Sequence, residues 1–187
     1  MCLDILRNPV KSLATAKKSR NMNKTLLALV ESSILFALAT AVLVAKSGLY
    51  PQLLIMSTTA VFFVMLIGTL LMGIIVHISA STLTSKGKYF DGLTSVVYGM
   101  LPISLGFFAT SLLTFIPFSA GLQIIVLAIT LASGVSTIYR GIKELYGTDM
   151  LTSFVVVSIA VLVIFVAVYA SVGLTVLSRV TSLGVVG

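Results

Sequence analysis

Five apolar stretches, separated by short polar segments, fill most of this 187-residue chain. Each approaches or exceeds the roughly 20 residues that a helix needs to cross a bilayer. The runs lack the period-2 alternation of a transmembrane β-strand, so helices are the better interpretation. We therefore predict an all-α, polytopic membrane protein whose residues 24–187 form a single five-helix domain, with spans at about 24–46, 52–84, 93–115, 122–138 and 151–178.

Composition supports this class, because hydrophobic residues make up 58% of the chain and charged residues only 9%. A soluble domain carries about 25% charged residues. No water-soluble fold of this length could bury so much apolar surface, whereas lipid can cover it. The one cysteine, Cys2, excludes an internal disulfide and a cysteine-based metal cluster.

The basic residues predict an orientation. On a five-span layout only Lys46 and Arg179 lie on one side of the membrane, whereas the other ten of the twelve basic residues share the opposite side. By the positive-inside rule, the N-terminus is then cytoplasmic and the C-terminus is outside. A four-span or six-span layout would lose this segregation. The ten are Arg7, Lys11, Lys17, Lys18, Arg20, Lys24, Lys86, Lys88, Arg140 and Lys143.

Residues 1–23 form a basic cytoplasmic tail in this layout. Asn8 and Pro9 have the character of a helix start, which favours a short helix lying on the inner leaflet. The alternative is a disordered tail that only orients the first span. Together with the loops near 85–92 and 139–150, the tail offers cationic contacts to a partner or to lipid, namely Lys11, Lys17, Lys18, Arg20, Lys86, Lys88, Arg140 and Lys143.

Three polar side chains from three different spans are predicted about 10–13 Å inside the membrane from the cytoplasmic side: Glu31, His77 and Tyr98. Pro102 adds to this layer, because it leaves the carbonyl of Tyr98 without its helical donor. An ionisable group at such depth is costly and faces the bundle interior. Two interpretations stay open. In the first, Glu31 and His77 have a structural role and hydrogen-bond each other or nearby Ser and Thr side chains. In the second, they form a functional site that relays protons or binds a polar ligand. One histidine without a thiolate cluster predicts neither a metal nor a cofactor.

Small residues at four-residue spacing in the first span predict close helix packing. The pattern does not decide whether this stripe packs within one chain or between two copies. The stripe is Ser33, Ala37, Ala41 and Ala45, and Gly99, Gly106, Ser133 and Thr137 are similar positions in the third and fourth spans.

The segment 77–105, HISASTLTSKGKYFDGLTSVVYGMLPISL, joins His77 at a span end to a short basic loop and then to Tyr98 and Pro102. This segment, Asn8-Pro9 and the stretch GIKELYGTD at 141–149 resemble the Yip family, also called YIPF, the Ypt/Rab-interacting membrane domain. The resemblance implies five spans with an inside N-terminus. Eukaryotic members are tied to Rab GTPases and vesicle traffic, but the short tail here looks more like prokaryotic members, so Rab binding is not carried over.

The function hypotheses follow from these features. The first is a non-enzymatic scaffold or membrane-organising factor that acts through its cytoplasmic face. The alternative is a small transporter or channel with a polar site at Glu31, His77 and Tyr98. Expected partners are anionic lipid headgroups, a cytoplasmic protein and a second copy of the chain, but not nucleic acid. The expected location is the cell membrane of a prokaryote.

Overall fold

The computed structural model of the protein describes Leu13, Thr15 and residues 22–48, 50–85, 87–163 and 166, and this part of the chain contains helices and short connections. This confirms the all-α class. Helices α1 to α4 are long and apolar enough to cross a membrane, and α5 is a shorter apolar helix. Of the predicted tail helix only Leu13 and Thr15 are described; both are helical, and Leu13 is buried in the core. The end of the predicted fifth span lies outside the described residues. The helices are α1 Met22–Lys46, α2 Pro51–Thr84, α3 Tyr89–Leu113, α4 Ala120–Tyr146 and α5 Met150–Val163.

Two helix boundaries differ from the predicted spans. Helix α3 begins at Tyr89, because the side chain of Asp91 accepts a hydrogen bond from the Lys88 N–H at 2.8 Å and so caps its first turn. Helix α4 continues to Tyr146, so the segment predicted as a loop at 139–150 is mostly helical. Arg140 is the first charged residue after the predicted end of the fourth span. Buried residues at helical spacing continue beyond it, from Gly141 to Tyr146.

The central element is α3, which packs against α1, α2 and α4, whereas α2 and α4 touch each other only slightly. Polar and apolar side chains of α3 are buried together from Asp91 through Gly99. The innermost apolar side chains, Val97 and Leu101, are 0% exposed. Burial on three sides makes α3 the framework on which the other helices are placed.

One end of the bundle gathers basic side chains. Helices α1 and α3 run parallel, and the Thr25 and Thr94 hydroxyls near their N-termini lie 3.3 Å apart. The C-terminal end of α4 contacts the N-terminal end of α3. Lys24, Lys88, Arg140 and Lys143 therefore lie at this end, which we call the basic end.

The opposite end holds Lys46 at the end of α1. Its ammonium donates to the carbonyl oxygen of Thr114 and lies 5.8 Å from the centre of the Phe115 ring. Of the described basic residues, one lies at this end and four lie at the basic end, which agrees with the segregation of charge in the sequence.

Helices α3 and α4 cross at a point where both carry glycine. A Cβ placed on Gly99 would lie 2.8 Å from the carbonyl oxygen of Gly134, and a Cβ on Gly134 would lie 2.7 Å from that of Gly99. Each helix backbone therefore occupies the space of the other's missing side chain. Ile103 and Ile138 pack beside the crossing. Glycine at both positions lets the two helix backbones approach closely, and a Cβ at either one would force a shift.

Candidate functional site

A polar cluster joins three helices at the basic end. The hydroxyl of Tyr146, the last residue of α4, lies 3.2 Å from Nδ1 of His77 on α2. The same hydroxyl donates to the carbonyl oxygen of Lys88, just before α3, at 3.4 Å. Which of His77 Nδ1 and the Tyr146 oxygen donates in the first contact depends on the tautomer of the imidazole. We call the set His77, Gly87, Lys88, Asp91 and Tyr146 the clasp.

Gly87 closes the clasp from the loop side. Its φ is +91°, a backbone conformation that side chains other than glycine rarely adopt. A Cβ at this position would lie 2.3 Å from atoms of the Tyr146 ring. The loop therefore rests directly on the tyrosine ring, and the ring in turn is only 4% exposed.

Aromatic contacts hold the imidazole of His77 on two sides. The ring centres of His77 and Tyr89 are 6.3 Å apart at an interplanar angle of 79°, an edge-to-face arrangement. The ring centre of Tyr146 is also 6.3 Å from that of His77, at 33°. The Tyr89 hydroxyl donates to the carbonyl oxygen of Leu70 at 3.3 Å, which ties the start of α3 to α2.

The other predicted intramembrane residues lie further along the bundle. Tyr98 and Pro102 are buried on α3, and the Tyr98 hydroxyl approaches the side chain of Thr25. Glu31 is half-buried on α1 and has an interaction partner of its own. These three residues occupy neighbouring turns of α1 and α3.

The helix register separates Glu31 from His77. Thr25 is level with Thr94, and Glu31 lies six residues, about 9 Å, beyond Thr25. The backbone nitrogen of His77 is level with Gly92, about 3 Å on the other side of Thr94. The backbones of Glu31 and His77 are therefore about 12 Å apart along the bundle axis. The sequence predicted Glu31 at the same depth as His77. In the structure the neighbours of His77 are instead Tyr89 and Tyr146.

Of the predicted cationic contacts, Lys88, Arg140 and Lys143 are exposed at the basic end. The rest of that set, Lys11, Lys17, Lys18, Arg20 and Lys86, lie outside the described residues. In the predicted packing stripe of α1, Ser33 and Ala37 are buried within the chain, Ala41 is half-buried and Ala45 is exposed. The Ser33 hydroxyl donates to the carbonyl oxygen of Leu29, within its own helix, at 2.9 Å.

Sequence reasoning missed Tyr146 as the partner of His77, and it missed Gly134 opposite Gly99. The stretch GIKELYGTD, which resembles the Yip family, contains Tyr146, but the charges in this stretch favour a loop over a helix. Residue spacing could have suggested Gly134 and Gly141, because they lie seven apart, as Gly92, Gly99 and Gly106 do on α3. Over the described residues no group of three or more His, Cys, Asp or Glu side chains could hold a metal ion.

Comparison with curated proteins and with solved structures gives no match. The profile of the Yip1 domain, in contrast, matches residues 3–171. That range covers all five described helices, including the clasp and the glycine crossing. With four helices able to cross a bilayer and this match over nearly its whole length, the chain is an integral membrane protein that belongs to the Yip1 domain family.

Proposed function

We propose that this protein is a non-enzymatic membrane scaffold that offers a fixed basic surface to a cytoplasmic protein partner. The observation that carries the proposal is the clasp. It ties Lys88, His77 of α2 and the end of α4 together through the Tyr146 hydroxyl. A surface held in this way is preorganised, so a partner that binds it loses less conformational entropy on association.

The side on which this surface faces is argued from charge. Four of the described basic residues lie at the basic end and one at the opposite end. Short loops rich in Lys and Arg stay on the cytoplasmic side of a membrane. The proposed docking surface is therefore cytoplasmic.

Transport is the competing function. A polar path needs ionisable groups that hand a proton or ion from one to the next, within hydrogen-bond reach or through water. The backbones of Glu31 and His77 are about 12 Å apart along the axis, and the His77 imidazole is hydrogen-bonded to Tyr146. This separation favours a structural role for His77 over a relay.

The test measures co-purification of membrane-associated proteins with the full chain. In one variant Lys17, Lys18, Lys86 and Lys88 are replaced by Gln, and Lys46→Gln at the opposite end is the control. A specific partner should be captured about tenfold less by the fourfold variant, which corresponds to about 1.4 kcal/mol, and normally by the control. Undiminished capture by the fourfold variant would contradict docking at the basic end.

A second pair of variants tests the clasp without changing charge. Tyr146→Phe removes the hydroxyl that joins His77 to Lys88, and Tyr139→Phe removes a hydroxyl on the same helix that donates to the Met150 carbonyl oxygen and is not part of the clasp. Capture should fall severalfold for the first and stay unchanged for the second. Proton or ion flux in proteoliposomes that drops on Glu31→Gln or His77→Ala would instead establish the transport function.

A further inference from the structure

An apolar groove of about 730 Å³ runs between α4 and α5, on the side of α4 that faces away from α3. Its size is within the range of about 300–1,000 Å³ that is typical of small-molecule sites. Small side chains on α4 leave the space, and large exposed side chains of α5 border it. The groove is lined by Ala132, Ser136 and Tyr139 on α4, and by Met150, Phe154 and Val157 on α5.

The groove leads toward two cations at the basic end. Lys143 lies four residues after Tyr139 and Arg140 lies four after Ser136, so both are neighbours of groove residues on the surface of α4. Both side chains are exposed. An apolar channel that ends beside two cations matches an acyl chain that ends in a phosphate.

Two acids lie near this mouth, and both are already engaged. The Asp149 carboxylate accepts hydrogen bonds from the N–H groups of Leu151 and Thr152 at the start of α5. Glu144 is half-buried and has an interaction partner. Hydrogen bonding leaves the Asp149 carboxylate charged, but the positive end of the α5 helix dipole partly offsets that charge. Arg140 and Lys143 together therefore outweigh the charge of Asp149 beside the groove.

We propose that this groove is a binding site for an anionic phospholipid, with one acyl chain between α4 and α5 and the phosphate beside Lys143 and Arg140. The site shares the basic end with the proposed docking surface, because Arg140 and Lys143 both lie there. It does not require a protein partner, and its cations are not among those replaced in the docking test.

The experiment measures lipid retained by the full chain, purified in mild detergent and incubated with phosphatidylglycerol, phosphatidylcholine or diacylglycerol, by native mass spectrometry. Phosphatidylglycerol should be retained preferentially. Replacing Arg140 and Lys143 by Gln should reduce its retention about 25-fold, because each cation near an anionic headgroup contributes about fivefold and the two factors multiply. The control is replacement of Lys86 and Lys88 by Gln, which removes the same charge elsewhere at the basic end and should leave retention unchanged.

A steric pair tests the groove itself. Ala132→Phe fills the groove and should lower retention of phosphatidylglycerol, whereas Ala109→Phe on the exposed side of α3 should not. Equal retention of phosphatidylglycerol and phosphatidylcholine would overturn the proposal, and so would equal effects of the two charge variants. A change of oligomeric state with Ala132→Phe, at unchanged lipid retention, would assign the groove to a second copy of the chain and also overturn it.

Discussion

At the scale of single residues, Gly87 is a position that both the backbone conformation and the packing restrict to glycine. The substitution Gly87→Ala combines a disfavoured positive φ with a Cβ that would lie 2.3 Å from the Tyr146 ring. Backbone strain of this kind costs about 1–3 kcal/mol, and displacement of the ring adds to it. We expect a clear loss of thermal stability in detergent. The measurement follows the loss of the helical signal on heating.

Gly48 offers the matched control for this prediction. Its φ is +68°, but a Cβ there would meet no atom within 4 Å. Gly48→Ala should therefore show the backbone cost alone. Equal destabilisation by the two substitutions would mean that the contact between the loop and Tyr146 contributes nothing.

Asp149 gives a second residue-scale prediction, concerning pH. Hydrogen bonds from the side chain and backbone of Thr152 lower the pKa of the Asp149 carboxyl below its usual value. The folded-state pKa is then lower than the unfolded one. The cap consequently stabilises α5 fully above the unfolded pKa of about 3.9 and is lost as pH falls through the lowered value.

The measurement is the protection of α5 amides against hydrogen exchange, corrected for intrinsic rates, between about pH 6 and pH 3. Protection should fall with acid in the natural chain. Asp149→Asn keeps an acceptor oxygen at the helix start but does not titrate, so its protection should change little. The same acid dependence in both proteins would contradict the role of this carboxylate.

At the scale of helices, the crossing of α3 and α4 depends on glycine at both positions. In Gly134→Ala the new methyl group would lie 2.3 Å from Ile103 and 2.7 Å from the Gly99 carbonyl oxygen, so the helices must move apart. We expect a destabilisation of about 1–3 kcal/mol, measured by thermal unfolding in detergent. Gly68→Ala on α2 meets no atom within 4 Å and should be neutral or stabilising. A neutral result for Gly134→Ala would show that the two helices are not held at this distance.

Much at this scale follows from the sequence alone. Apolar runs predict helices at α1 and α2 to within two residues, because lipid requires long uninterrupted apolar helices. The ends of α3 and α4 were predicted less well, since Asp91 and Lys143 are polar residues that belong to helices. Hydrophobicity alone does not distinguish a polar residue on an exposed helix face from one in a loop.

At the scale of the whole molecule, the arrangement of charge predicts the orientation in the membrane. Single cysteines at the exposed positions Ser47 and Ser85, in a background with Cys2→Ser, report the two sides. A membrane-impermeant thiol reagent should label Ser47→Cys on intact cells and Ser85→Cys only after permeabilisation. Labelling in the reverse order would invert the topology and place the basic end outside.

The candidate site was less predictable than the fold. Depth in the membrane, counted from the nearest charge, placed Glu31, His77 and Tyr98 in one layer. The helices do not begin at equal heights, so the backbones of His77 and Glu31 are about 12 Å apart along the axis, and the His77 side chain contacts Tyr146 instead. Pairings of this kind depend on the relative height of helices, which a single sequence does not encode locally.

The length of α2 has a consequence for the surrounding bilayer. Its 34 residues span about 51 Å, whereas the hydrocarbon core is about 30 Å thick and the 25-residue helices α1 and α3 are about 37 Å long. A helix so mismatched must lean, protrude or draw thicker lipid around itself. We therefore expect the protein to concentrate where acyl chains are long, and to become enriched in the thicker phase of a phase-separated vesicle.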